Sequence, residues 1–287
     1  MRNVNKIATT LGIVLTAGMI AASVPARAEA DEGLQIHIFS IGKADAFLFM
    51  TEDGTVLIDC GESGDGKEIT QYLKKKGIKK LDVLIITHFD KDHVGGAAKV
   101  LKSLPVDRLL QSNSPKDSKE MEKYLKALEL TGIEAETVRE TTFFSLGGAE
   151  FTVYPPELEA YAKDESNNSS LVTEVRYGEN SFLFTGDSES ARLAEILAME
   201  LEDYDVLQIP HHGEWDMLLV NLVKRTSPEY ALITGSEKEP EDLRTLELLR
   251  QENVEALLSR EGEIDLYSDG STVAAEQESG MILKPAA

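Results

Sequence analysis

The chain of 287 residues contains a single cysteine, so no intramolecular disulfide can form. Cys60 closes the β-branched run Val56-Leu57-Ile58-Asp59-Cys60, where a buried, inert thiol is expected rather than a nucleophile or a metal ligand. Positive charge is also scarce. Lysine and arginine number 29 against 51 aspartates and glutamates, a net charge of −22. That excess disfavours long polyanions, whose binding draws on cationic contacts to phosphate, and it favours solubility. The chain has neither a Gly-x-Ser-x-Gly elbow nor a Cys–His pairing pattern, so nothing points to a protein nucleophile. It has no low-complexity linker and no visible repeat. Histidine is rare as well: there are five, and four of them cluster in pairs at the ends of apolar runs.

One long apolar run exists, and it lies at the N-terminus. Arg2 and Lys6 precede an apolar stretch from Ile7 to Pro25, and Ala26-Arg27-Ala28 supplies a small-x-small cleavage pattern. Residues 1–28 are therefore expected to be a signal peptide cleaved after Ala28, with residues 29–287 as the working domain, secreted or otherwise extracytoplasmic and without a stable membrane anchor. No cysteine follows the run, which argues against a lipoprotein. The remaining 259 residues would carry 26 basic and 51 acidic side chains, a net charge of −25.

Short apolar, β-branched runs alternate with helical patterns after that point. Strands are expected at Leu34–Phe39, Ala46–Met50, Thr55–Ile58, Leu81–Thr87, Val106–Leu110 and Glu150–Tyr154. Others are expected at Leu171–Arg176, Phe182–Thr185, Asp205–Ile209, Tyr230–Thr234, Ala256–Leu258 and Glu263–Tyr267. Asp117 with Glu120 resembles a capping box for a helix ending near Thr131-Gly132. Leucine stripes at Leu193, Ile196 and Leu197, and at Leu243, Leu246 and Leu249, read as core faces. About twelve strands with interleaved helices indicate one α/β domain with more than one sheet.

The chemistry concentrates at strand exits. Thr87-His88-Phe89-Asp90-Lys91-Asp92-His93-Val94-Gly95-Gly96 succeeds the continuous apolar run Leu81–Thr87, which reads as a fully buried strand. Four ligand-type side chains within six residues suit a metal centre, and Gly95-Gly96 would let the next helix approach closely. Asp187 ends Phe182-Leu183-Phe184-Thr185-Gly186-Asp187; taken alone, it is a helix N-cap signature. His211-His212 leaves a third apolar strand, in Val206-Leu207-Gln208-Ile209-Pro210-His211-His212-Gly213. The fifth histidine, His37, lies within a strand and is expected to be a satisfied sheet residue.

In order, these motifs (DxG at Asp59, HxDxDH-x-GG, TGD and HHG) resemble the metallo-β-lactamase-fold hydrolases. The branch they resemble is the soluble domain of bacterial DNA-uptake competence channel proteins and their free-standing relatives. Gly42-Lys43-Ala44-Asp45 matches that branch's early Gly-x-Gly-Asp, and Asn167-Asn168-Ser169-Ser170-Leu171-Val172 its Asn-rich strand start. The resemblance runs from about Leu34 to Tyr267 and implies a four-layer αββα sandwich. It departs in places. Asp90 stands where most of the superfamily has histidine, Glu214 replaces the Ser of HHGS, and Lys238-Glu239-Pro240 replaces a late Gly-His-Pro.

The resemblance implies two divalent ions. One site would use Asp92, His93, Asp187 and one of the pair His211 and His212, with His211 the expected ligand. The other, richer in oxygen, would use His88, Asp90 and a bridging Asp187. Imidazole-rich positions favour zinc, and carboxylate positions admit manganese. Asp92 would orient the attacking water and His212 would act as general acid or leaving-group contact, while Asn168 and Glu239 would lie on the substrate side. The expected reaction is metal-dependent hydrolysis of a phosphodiester or other phosphoester, on a small-molecule or phosphoester substrate. A catalytically weak or inactive exported metal-binding protein and a cell-wall choline-phosphate esterase stand as alternatives.

Overall fold

The computed structural model describes residues 33–277, so the expected signal segment at 1–28 lies outside the described residues. Fifteen strands are present among the described residues, in two sheets. The first sheet holds β1 (Leu34–Ile38), β2 (Phe47–Thr51), β3 (Gly54–Ile58), β4 (Leu81–Ile86), β5 (Val106–Gln111) and β6 (Ala135–Thr137). The second holds β7 (Thr142–Leu146), β8 (Ala149–Tyr154), β9 (Val172–Tyr177), β10 (Asn180–Phe184), β11 (Val206–Gln208), β12 (Tyr230–Ile233) and β13 (Glu255–Leu258). The chain then returns to the first sheet through β14 (Ile264–Ser268) and β15 (Val273–Gln277), giving the orders β15-β14-β1-β2-β3-β4-β5-β6 and β13-β12-β11-β10-β9-β8-β7. In each sheet one half pairs antiparallel, and the half leading to the site is parallel: β3 to β6 in one, β10 to β13 in the other.

Parallel pairing needs crossovers, and helices supply them. They are α1 (Gly66–Lys75), α2 (Lys91–Val94), α3 (Ala97–Leu101), α4 (Lys119–Thr131), α6 (Ser190–Ala198), α7 (Leu219–Thr226) and α8 (Leu243–Gln251), while α5 (Glu165–Asn168) lies between the antiparallel β8 and β9. The apolar strands explain the layering. In β4, Val83 and Ile85 enter the core between the sheets, while Leu84 and Ile86 pack on the outer face under α1, α3 and α4. In β10, Phe182 and Phe184 point inward, and Leu183 joins Leu193, Ile196 and Leu222 of the covering helices. A strand buried on both faces has no room for alternation with polar residues, which is why these runs are continuously apolar. Phe184 meets Phe47 and Phe49 at ring-centroid distances of 5.1 and 5.0 Å, locking the sheets together. Helix, sheet, sheet, helix is the αββα order that the motif resemblance implied.

Local differences from the sequence reading have local causes. The cap of α4 is Ser118, whose hydroxyl accepts from the Met121 N–H, rather than Asp117; Gly132 ends the helix in a left-handed conformation. The N-cap of α6 is Glu189, which releases Asp187 from any capping role. Leu243 is 79% exposed, so only Leu246 and Leu249 of its stripe reach the core. The unforeseen strands β6, β7 and β15 are a three-residue strand and two edge strands, where half-exposed or acidic sequences pair without a continuous apolar signal. Among the described residues no helix is long and apolar enough to cross a membrane.

Candidate metal centre

Every element of the site leaves the carboxyl end of a strand. Asp59 comes after β3, His88 after β4, Asp187 after β10, and the His211-His212 turn after β11. That edge of a parallel sheet is where loops converge and ligands are held. The loop after β4 is drawn tightly against the loop after β3. A Cβ at Gly96 would lie 2.0 Å from the Cys60 carbonyl oxygen, and one at Gly95 2.7 Å from the Ser63 nitrogen. The two glycines are therefore required by close backbone approach, as their position ahead of the next helix suggested. Cys60 itself is fully buried, and burial first, then the Asp59 charge, push its thiol well above the ordinary range. It is chemically quiet.

Asp92, His93, Asp187 and His212 offer four ligand atoms, all within 4.8 Å of one another. His93 Nε2 lies 3.2 Å and His212 Nε2 3.3 Å from Asp187 Oδ2, and His212 Nε2 is 3.5 Å from Asp92 Oδ2. His88 Nε2 approaches the same Asp187 oxygen at 3.9 Å. The Nε2 atoms of His88, His93 and His212, together with Asp187 Oδ1, are buried and meet no partner in hydrogen-bonding geometry. Leaving a buried polar group unpaired costs about 1–3 kcal/mol each, and the unpaired His93 and His212 Nε2 atoms lie among the carboxylates of Asp92 and Asp187, where a cation would serve as their common partner. Two imidazole nitrogens and two carboxylates are a donor set that a divalent ion of the zinc type satisfies. The residues fit the group.

Electrostatics agree with that fit. Burial pushes the His93 and His212 rings down, but the adjacent carboxylates override it. Asp187 and Asp59 hold His93 well above its ordinary value, and Asp187, Asp92 and Asp45 raise His212 to about 10. Burial would raise Asp187, yet His212 and His93 drive it well below the carboxylate range. Burial and then the His93 charge lower His88 to about 4. The carboxylate charge that draws these imidazole pKa values upward is the charge that a bound cation would neutralise.

Behind the donors, polar side chains fix the imidazoles. His93 Nδ1 lies 2.8 Å from Asp59 Oδ2, and the Thr87 N–H and hydroxyl donate to Asp59 at 2.9 and 2.6 Å. The Thr87 hydroxyl also lies 3.1 Å from His88 Nδ1. His212 Nδ1 lies 2.8 Å from the hydroxyl of Thr234, at the exit of β12. These threonines were not singled out in the sequence, although threonine closes three of the apolar runs that end at the site: Thr87, Thr185 and Thr234.

Other expected residues sit differently. His212 rather than His211 joins the donors. Both residues adopt positive φ (50° and 54°), and the turn sends His212 inward while His211 faces Glu189 and Glu214 at 3.3 and 3.7 Å. Asp90 follows His88 in the same loop, but its Oδ1 pairs with Lys116 at 2.7 Å and accepts from Ser166. Asn168 is buried with its amide used internally. Its Oδ1 accepts from the Arg192 N–H, and its NH2 donates to the carbonyls of Lys163 and Asp164, so these bonds tie the amide into the fold. Glu239 is exposed on the loop after β12, and Lys91, whose ammonium is held charged first by Glu62, also feels its charge. His37 stays in β1, 2.9 Å from Asp265 and stacked on Tyr72 at 4.0 Å.

Comparison with known proteins agrees with this geometry. Residues 41–235 match the model of the metallo-beta-lactamase superfamily. ComE operon protein 3 of Bacillus subtilis (strain 168) is 29% identical over 283 residues, covering 89% of this chain and 35% of that protein. Recombination protein 2 of Haemophilus influenzae is 31% identical over 217 residues, covering 72% of this chain and 25% of that one. The chain thus spans about a third or less of the length of these curated relatives. Among solved structures, CmlA, a diiron beta-hydroxylase from Streptomyces venezuelae, superposes with a TM-score of 0.54 at 17% identity, over 83% of this chain and 54% of that one, a likeness of fold alone. With the family pattern spanning the loops that build the donor cluster, and relatives in the competence-related branch, the chain belongs to the metallo-beta-lactamase superfamily and has its metal-dependent hydrolase-like fold.

Proposed function

We propose that this protein is an exported metal-dependent hydrolase of phosphodiester or other phosphoester bonds. The observation that carries the reading is the convergence of Asp92, His93, Asp187 and His212 on one buried point, with their imidazole Nε2 atoms unpaired. These four residues would hold the tighter ion. His88 and Asp90, with Asp187 between them and the first set, would hold a second ion in exchange with the Lys116 and Ser166 contacts. When bound, divalent ions here supply Lewis acidity and lower the pKa of a water from ~15.7 towards ~7.

The chain's own residues do the rest. Asp92, the cluster member most open to solvent at 18% side-chain exposure, orients the water. His211, at the rim beside Glu189 and Glu214, is placed to pass a proton to the departing oxygen. Three ammonium groups ring the opening of a strongly acidic molecule. Lys43 pairs with Glu214 at 2.5 Å, Lys91 with Glu62 at 2.7 Å and Lys116 with Asp90 at 2.7 Å. Each ammonium is matched by a carboxylate, so an anionic substrate of modest size would engage the rim by exchanging with one of these pairs. Export rests on the sequence of residues 1–28.

The test is turnover of bis(4-nitrophenyl) phosphate with zinc or manganese, abolished by chelator and restored by metal. Nitrocefin should not be cleaved. Rapid nitrocefin cleavage without phosphodiesterase activity refutes the substrate class, and no ester turnover with metal fully bound favours a metal-binding protein instead.

A further inference from the structure

Asp45 belongs to the loop before β2, far in sequence from the donors, yet it is completely buried behind them. Its Oδ1 accepts from the Thr234 hydroxyl at 2.6 Å. The same hydroxyl lies 2.8 Å from His212 Nδ1, whereas the direct Asp45 Oδ1 to His212 Nδ1 distance is 3.5 Å. A hydroxyl has one proton to give and lone pairs to receive. With that proton committed to Asp45, the oxygen of Thr234 serves His212 as an acceptor. Nδ1 must then carry its hydrogen, and once the ring gives up its second proton to bind metal, Nε2, the nitrogen that approaches Asp187 and Asp92, presents its lone pair. Backbone contacts hold the loop in register: the Asp45 N–H donates to the Asp92 carbonyl at 3.1 Å, and the Gly61 N–H donates to the Asp45 carbonyl at 2.9 Å. Asp59, Thr87 and His88 repeat the arrangement on the other sheet, with a threonine hydroxyl between a buried carboxylate and an imidazole Nδ1.

We propose that Thr234, anchored by Asp45, is a positioning residue that fixes the tautomer and ring orientation of His212 and so sets the affinity of the metal centre. This rests on the reading of His212 as a donor. Partners behind a ligating histidine typically govern roughly 10–100-fold in metal affinity. Removing Thr234 also frees the Asp45 carboxylate, whose Oδ2 lies 3.9 Å from His93 Nδ1, so an effect routed through His93 has to be separated from one routed through His212.

The experiment measures zinc affinity of the full chain by competition with a chromophoric chelator, independently of turnover. Thr234→Val, which keeps shape and removes the hydroxyl, should weaken zinc by roughly 10–100-fold, and Thr234→Ser should stay within about threefold of wild type. Thr234→Ala, expected to behave as the valine variant does, decides the matter if Thr234→Val does not fold. In a His212→Ala background, Thr234→Val should change affinity by less than about twofold, because the contact it modulates is gone. Wild-type affinity in both Thr234→Val and Thr234→Ala overturns the proposal, as does an undiminished effect in the His212→Ala background. Wild-type affinity in His212→Ala itself would instead overturn the underlying site reading.

Discussion

His212 Nε2 stands 3.3 Å from Asp187 Oδ2 while the ring of its neighbour His211 faces Glu189 at 3.3 Å, so adjacent identical residues serve opposite sides of one turn. His212→Ala should therefore remove the tightly bound metal, and His211→Ala should leave it in place. Elemental analysis of the two purified variants separates them. Metal lost from His211→Ala and kept in His212→Ala would reverse the assignment.

Asp187 approaches three imidazoles: His93 at 3.2 Å, His212 at 3.3 Å and His88 at 3.9 Å. A carboxylate so placed serves both prospective ions. Asp187→Ala is expected to strip most of the one to two equivalents of divalent metal that the two proposed sites would hold. His37→Ala, remote from the centre, should change nothing in metal content. Full occupancy in Asp187→Ala would rule out a bridging role.

Protons and metal compete for this site. In the metal-free protein His212 is raised to about 10 and His93 lies well above its ordinary value, so both hold protons at neutral pH. A ligand must lose its proton to bind metal, and metal uptake should therefore release on the order of one proton or more at pH 7. Affinity should rise with pH across the neutral range, because the raised imidazole pKa makes the proton the stronger competitor at lower pH. Calorimetric titrations with zinc in two buffers of different ionisation enthalpy read the count. Uptake without proton release would contradict protonated imidazoles in the metal-free centre.

The fold and much of the site were legible in the sequence because both depend on strands that are buried on two faces. Such strands advertise themselves as apolar runs, and the candidate donors sit where each run ends, at His88, Asp187 and His212. What the sequence concealed depends on loop direction. Which of His211 and His212 turns inward is decided by two consecutive left-handed residues, a conformation that spacing does not encode. Asn168 looked like a substrate contact, but its amide is consumed by Arg192, Lys163 and Asp164, partners no local pattern reveals. Thr234 reaches Asp45 across 189 positions, and only the closure of the two sheets brings them together.

Export can be checked directly. Protein recovered from the medium of a host with a general secretory pathway should begin at Glu29 by mass spectrometry. An intact Met1–Ala28 segment in the membrane fraction would overturn that part of the proposal.

Substrate charge should register at the rim. Lys43 is the least exposed of the three rim lysines, whose side-chain exposures are 23, 70 and 43%, and its partner Glu214 is itself half exposed and easily displaced. An anionic substrate that takes over the Lys43 ammonium gains a charge-assisted hydrogen bond of about 1.5–3 kcal/mol, less the surrendered pair with Glu214, itself worth at most about 1 kcal/mol. Lys43→Met should therefore raise KM for bis(4-nitrophenyl) phosphate by roughly tenfold at low salt while leaving metal content unchanged. The same three lysines are too few for a polyanion track on a chain of net charge −22. Activity on long single-stranded DNA should be weak and should lack the steep loss with added salt that many phosphate contacts produce. Steady-state kinetics across a salt series compares the two substrates. Tight, steeply salt-dependent DNA cleavage would show that a basic track exists elsewhere on the molecule and that the rim does not define the substrate.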